Sequence, residues 1–141
     1  MFGFFGKKQF GQGIKTLGQA GEEAAQKEYQ VRGFEILAAN FFNRTGKRLG
    51  EVDFVARSKD AIIFVEVKTR AAKESRFGTG AEAVDVYKQR KLLKAVKLFL
   101  LNHQEYAGLR PQIDVCLVEQ SPFDKSLKCA KIITNAVEDE N

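Results

Sequence analysis

The stretch G-E-V-D-F-V-A-R-S-K-D-A-I-I-F-V-E-V-K-T-R, residues 50–70, decides the fold. Two apolar, largely β-branched runs, 52–56 and 61–67, flank the polar turn Arg57-Ser58-Lys59-Asp60, which predicts a β-hairpin. Asp53 stands inside the first run, and Glu66 and Lys68 lie at the end of the second. Side chains alternate across a strand, so Glu66 and Lys68 share one face, Val65 and Val67 take the other, and antiparallel pairing brings Asp53 towards Glu66. Burying such charges among valines and phenylalanines is costly unless they pair or hold an ion. Two readings of the trio follow. Either it is a structural salt-bridge cluster on a polar hairpin face, or Asp53 and Glu66 are oxygen ligands of a hard cation such as Mg²⁺, with Lys68 beside a reacting phosphate.

Towards the N-terminus, residues 34–42 read as a strand. The tip that follows is broken at Gly46 and carries Arg44, Lys47 and Arg48, three cations able to grip backbone phosphates. Residues 16–31 have helical spacing, with Leu17, Ala20, Ala24, Ala25, Tyr29 and Val31 on one broad side and Gly33 as the stop. Gly18, Ala20, Gly21, Ala24 and Ala25 are small enough to let that helix approach a sheet closely.

Beyond the hairpin, residues 71–80 form a polar, glycine-bearing loop. The helical pattern at 81–103 turns Val84, Leu92, Val96, Phe99 and Leu100 inward. Lys88, Arg90, Lys91, Lys94 and Lys97 occupy much of the rest, with no acid between 86 and 102. A purely solubilising face mixes its signs, so phosphate contact is expected of Lys88 and Lys91, near the helix start. His103, the single histidine, falls where it caps the last carbonyls. Strands at 111–119 and 127–134 complete the order helix, three strands, helix, two strands: an α/β domain.

At 141 residues, 44% hydrophobic and 29% charged, the chain has the make-up of one globular domain, expected over 16–135. Residues 1–15, rich in Phe and Gly with lysines after the apolar run, read as a flexible extension and not as a signal peptide. Residues 136–141 form an acidic tail: Glu138, Asp139 and Glu140 leave the preceding residues at +8, against +5 for the whole chain. A basic body favours polyanionic partners. No apolar stretch approaches membrane-spanning length, so a cytoplasmic protein without a membrane partner is expected. Cys116 and Cys129 lack metal-ligand spacing and read as a reduced pair packed as small apolar groups.

The spacing Asp53-x12-Glu66-x-Lys68 resembles that of the PD-(D/E)xK nuclease superfamily. G-x-x-G-E at 18–22, G-E-V-D at 50–53 and F-V-E-V-K-T-R at 64–70 look like the YraN family of small bacterial proteins, over about residues 16–118. The resemblance implies a restriction-endonuclease-like fold, a central mixed sheet flanked by helices, similar to archaeal Holliday-junction resolvases. It implies a Mg²⁺- or Mn²⁺-dependent endonuclease for branched DNA, with no small-molecule cofactor. Symmetric cleavage of a junction would take two copies, hence a homodimer.

The family's motif glutamate falls on Glu22, implied to complete a metal site with Asp53, Glu66 and the carbonyl of Val67. Lys68 would orient the nucleophilic water or stabilise charge on the phosphoryl group. Arg70 closes the motif and joins Arg44, Lys47, Arg48, Lys88 and Lys91 as expected DNA contacts. Glu51 is an accessory ligand or a solvated strand start. Gln112 and Ile113 stand where the family carries Arg-Phe, and Asp114 is expected at a sheet edge or behind the site. Two rivals stand beside the nuclease: a nucleic-acid binder that keeps the fold, and a protein-interaction module whose charged trio is an internal ion-pair cluster.

Overall fold

The computed structural model describes residues 15–39, 52–72 and 86–136. The expected basic tip (Arg44, Lys47, Arg48), Glu51, Val84, residues 73–80 and both chain ends lie outside them. Helix α1 is Leu17–Val31, followed by strands β1 (Glu35–Ala39), β2 (Phe54–Arg57) and β3 (Ala61–Arg70), helix α2 (Val86–Asn102), and strands β4 (Arg110–Gln120) and β5 (Leu127–Ile133). One mixed sheet in the order β1-β2-β3-β4-β5 lies between the two helices. All pairs are antiparallel except β3 with β4. Parallel neighbours cannot be joined by a hairpin, and α2 is the crossover that links them.

The sequence Ala-Ile-Ile-Phe-Val-Glu fills the first six positions of β3, and all six are buried. A strand covered on both faces reads as an unbroken apolar run, and this one does until Glu66. Ala61, Ile63 and Val65 pack with Ala25 and Tyr29 of α1, together with Phe54, Ala56, Cys116 and Val118. Ile62 and Phe64 face α2 through Leu92, Ala95, Val96 and Phe99. Phe64 and Phe99 meet edge-on at 5.4 Å and 80°, a contact worth ~0.5–1.5 kcal/mol beyond its burial. His103 caps as expected: its Nδ1 is 2.9 Å from the Phe99 carbonyl and its ring stacks on Phe99.

Both ends of α1 are written in its sequence. Thr16 Oγ1 accepts from the Gln19 amide (3.0 Å) and Gln19 Oε1 from the Thr16 amide (2.9 Å), a capping box. At the other end Gly33 takes φ +98°, Gly33 N donates to Gln30 O, and Phe34 N donates to Tyr29 O. That is a Schellman stop, sealed by the Tyr29 and Phe34 rings at 5.4 Å. Gly21, Ala25 and Tyr29 form the buried stripe. Val31, expected inward, is 83% exposed, because it lies about 200° around the helix from Tyr29 and so off the buried stripe.

Gly21 sits directly on β3: a Cβ there would lie 1.9 Å from Thr69 Oγ1 and 2.9 Å from Thr69 Cβ. Tyr29 donates to Asp114 Oδ2 at 2.6 Å, and Asp114 Oδ1 accepts from Gln112 Nε2 (2.9 Å) and Asn135 N (3.1 Å). Asp114 is therefore not at a sheet edge. It is 2% exposed on an inner strand, where alternation turns it towards α1. Cys116 and Cys129 are free thiols whose sulfurs lie 3.5 Å apart, and the hydrogen bond with Cys129, followed by burial, pushes the Cys116 thiol far up.

Two results are expected. Gly18 is exposed, with no atom closer than 3.9 Å to an added Cβ, so Gly18→Ala should stabilise by up to ~1 kcal/mol through helix propensity. Gly21→Ala receives the same gain but must push α1 off Thr69, and overpacking at ~1–3 kcal/mol outweighs it. Opposite shifts in thermal midpoint check this. The second concerns Tyr29, whose burial, followed by the charge of Asp114, holds its hydroxyl protonated far above the usual tyrosine range. The unfolded tyrosine ionises near pH 10, so this contribution is complete below that pH and declines as pH rises above it. Tyr29→Phe should cost ~1–3 kcal/mol at neutral pH and show a shallower alkaline decline in denaturant titrations.

Candidate functional site

Asp53, just before β2, and Glu66 and Lys68 of β3 come together where the burial of β3 gives out. Phe54 is the Cα partner of Val65, yet the amide of Asp53 also donates to the Val65 carbonyl at 2.9 Å. Asp53 and Phe54 thus share one position of β3, as in a β-bulge. The packing agrees: Val52 belongs to the core under α2 and Phe54 to the core under α1, although two residues apart they should share a face. The bulge turns the Asp53 carboxylate along the sheet, where Oδ2 accepts from the Val67 amide at 2.7 Å. Asp53 is brought to Glu66 as expected in place but not in manner: it bonds the peptide that joins Glu66 to Val67. Since the N–H and C=O of one strand residue point to the same side, the Val67 carbonyl faces the Asp53 side.

Glu66 and Lys68 continue the Ile62–Phe64 face, the side of α2, and meet as alternation requires, Lys68 Nζ lying 3.4 Å from Glu66 Oε2. The Lys68 side chain is 31% exposed and that of Glu66 4%. The separation is looser than the ~2.7–2.9 Å of a close charge-assisted bond. Asp53 and Glu66, at 2% and 3% exposure, are with Asp114 the buried carboxylates among the described residues. Asp53 Oδ2 and Glu66 Oε2 make the contacts to Val67 and Lys68, while Asp53 Oδ1 and Glu66 Oε1 are buried without a hydrogen bond. That donor set fits a small hard cation, which retains several waters and needs only one or two carboxylates. Among the described residues no group of three or more His, Cys, Asp or Glu side chains is arranged to hold a metal.

Glu22 follows Gly21 on α1, half-buried, while Gly21 touches Thr69 on the face away from Glu66 and Lys68. Arg70, half-buried, ends β3. The chain leaving α2 enters β4 at Arg110, which pairs with Ala61 at the start of β3. The start of α2 is therefore at the Glu66–Arg70 end, with Lys91 half-buried on it and Lys88 in its first turn. Sequence reading missed the Val67 amide as the partner of Asp53 and Tyr29 as the partner of Asp114. Neither has a local signal, since the first needs the bulge and the second spans 85 residues.

What results is an α/β domain with two buried carboxylates and a lysine at the end of its central strand, on the face of a basic helix. The chain belongs to the uncharacterised protein family UPF0102, whose family model matches residues 21–118. A UPF0102 protein of Caldanaerobacter subterraneus subsp. tengcongensis is 36% identical over 122 residues, covering 86% of this chain and 94% of that one. Relatives of the same description from Symbiobacterium thermophilum and a Synechococcus species are each 38% identical, over 125 and 117 residues. Those matches cover 86% and 83% of this chain, and 96% and 86% of the relatives. Among the described residues no helix is long and apolar enough to cross a membrane.

The two jobs of Asp53 can be separated. Asp53→Asn keeps an acceptor for the Val67 amide and removes the charge, so its thermal midpoint should stay within a few degrees of wild type. Asp53→Ala leaves that amide without its acceptor and should lose ~1–3 kcal/mol in urea unfolding. Equal stability of the two variants would mean that the bond to Val67 does not hold the bulge.

Proposed function

We propose that this protein is a metal-dependent endonuclease acting on branched or otherwise structured DNA. One observation carries the reading: Glu66, the last buried position of β3, and Asp53, just before β2 and bonded through Oδ2 to the Val67 amide, are both buried, with Lys68 3.4 Å from Glu66 on the face of α2. A buried carboxylate pair is expensive for a merely structural purpose, because like charges close together oppose each other and lose hydration. Membership of UPF0102 brings no activity with it, and the nuclease reading rests on the site together with the resemblance of Asp53-x12-Glu66-x-Lys68 to the PD-(D/E)xK spacing.

Asp53 and Glu66 would hold Mg²⁺ or Mn²⁺, aided by the Val67 carbonyl, with Glu22 approaching through water. When bound, such an ion stabilises charge on phosphoryl oxygens and acidifies an attached water. Lys68 sits at the exposed lip of the same face, where its ammonium orients the attacking water or balances charge on the phosphoryl group. Orientation fits better than proton abstraction, since a neighbouring carboxylate favours the charged ammonium. Arg70, Lys88 and Lys91, joined by Arg44, Lys47 and Arg48, would contact flanking phosphates and set position without reading sequence.

Mn²⁺ titration calorimetry and cleavage of four-way junctions, flaps and nicked duplexes test this reading. Asp53→Asn should abolish ion binding. Lys68→Ala should retain it while slowing cleavage by about 10²-fold or more, the scale of losing one positioned group. Equal ion affinity in wild type and Asp53→Asn overturns the site. Salt-sensitive DNA binding with no cleavage of any branched substrate leaves a binder that keeps the fold. A large drop in thermal midpoint for Lys68→Ala without DNA binding leaves an ion-pair cluster.

A further inference from the structure

The turn between β4 and β5 carries Phe123, 94% exposed. Nothing about the turn requires an aromatic there, and the turn itself is firmly built. Ser121 N donates to Ser126 O (2.7 Å), Lys125 N to Ser121 O (3.0 Å), Phe123 N to Ser121 Oγ (3.1 Å) and Gln120 Nε2 to Lys125 O (3.3 Å). Lys125 accepts a positive φ of 64° to close it. The ring is thus held outward on an ordered support, an arrangement that lowers the entropic cost of using it as a contact.

Register fixes where the ring stands relative to the site. In the parallel β3–β4 pair Lys68 is opposite Leu117 and Arg70 is opposite Glu119, so the turn lies just past the end of β3 that carries Glu66 and Lys68. Ala72 N bonds Gln120 Oε1 at 3.1 Å, tying the chain leaving β3 to the base of the turn. At about 3.3 Å per residue from Leu117 to Gln120, the base of the turn that carries Phe123 is roughly 10 Å beyond Lys68, or about three base steps along one strand.

The surroundings point to the occupant. Pro122, Asp124, Lys125 and Ser126 are all exposed, so the ring lacks the packed apolar surround that a protein anchor uses. Lys125 and Lys128 are exposed beside it; of the nearby acids, Asp124 accepts from Ser126 N (3.0 Å) and Ser126 Oγ (2.7 Å), and Glu119 stands opposite Lys128 in the β4–β5 register. A solitary aromatic face flanked by cations matches a nucleobase with its phosphates. In an intact duplex the base faces are covered by stacking. An open face exists at a branch, a flap or a single strand.

We propose that Phe123 is a stacking site for an unpaired base next to the scissile region, with Lys125 and Lys128 on the adjoining phosphates. The inference rests on the nucleic-acid reading of the Asp53–Glu66–Lys68 site and supplies its preference for branched over continuous duplex DNA. Binding of the full chain in EDTA to a junction with 2-aminopurine at the branch point, to single strands and to duplex tests it without any need for cleavage. Wild type should quench the probe at the branch. Phe123→Ala should abolish quenching and weaken branched and single-stranded binding by about five- to 150-fold, equivalent to the ~1–3 kcal/mol of one stacked base, with duplex affinity unchanged. Phe123→Trp should retain both. Unchanged branched affinity in Phe123→Ala overturns the stacking site alone, whether or not the protein cuts. Absence of DNA binding by wild type overturns both readings. A concentration-dependent dimer dissolved by Phe123→Ala, with DNA affinity intact, assigns the ring to a second copy and overturns it as well.

Discussion

Covering β3 on both faces is the condition on which everything else depends. A strand buried on two sides must be apolar wherever it is covered, and β3 is apolar from Ala61 to Val65. It must also be approached closely from each side. Gly21 permits this on one face by removing the side chain that would strike Thr69, and Phe99 achieves it on the other by packing on Phe64. Where the cover ends, the strand does not: Val67 to Arg70 continue half-buried. Glu66 is the last buried position before that half-buried end.

That boundary gives the charged residues their properties. On the dry side the effective dielectric is low, so charges interact more strongly there than at the surface. On the open side Lys68 keeps enough exposure to meet a ligand. The bulge at Asp53 completes the arrangement by bonding its carboxylate to the peptide beyond Glu66. Regular pairing would have aimed it out of one face of the sheet. The irregularity is therefore what lets residues from two strands address a common point, a recurring use of bulges near functional sites.

Much of this was legible in the chain, in proportion to how local the determining physics is. The hairpin, both helices and the Gly33 stop depend on contacts within a few residues, and periodicity reveals them. Glu66 and Lys68 share a face because strand alternation is a local rule. The parallel pairing of β3 with β4 is legible only through α2, the crossover that makes it possible. Val31 escapes the broad apolar grouping because the buried side of α1 is the narrower line Gly21, Ala25, Tyr29, from which the helix turns it away. The orientation of Asp53 is invisible to alternation, since one inserted position reverses every assignment before it. Phe123 carried only a weak sign, an aromatic between Pro122 and Asp124 in an otherwise polar turn.

The bond from Tyr29 to Asp114 spans 85 residues of chain and joins the first helix to an inner strand. At a synthesis rate of roughly 5–20 residues per second, α1 leaves the ribosome several seconds before the strand that receives its tyrosine exists. During that interval the helix has its own caps but no sheet to lie on. Asp114 gains its remaining donor from Asn135 only after β5 has been made. The buried network is thus a late event in the life of each molecule, and the chain cannot close its core from the N-terminus alone. Contacts this distant in sequence also slow the search for the native state in the released protein.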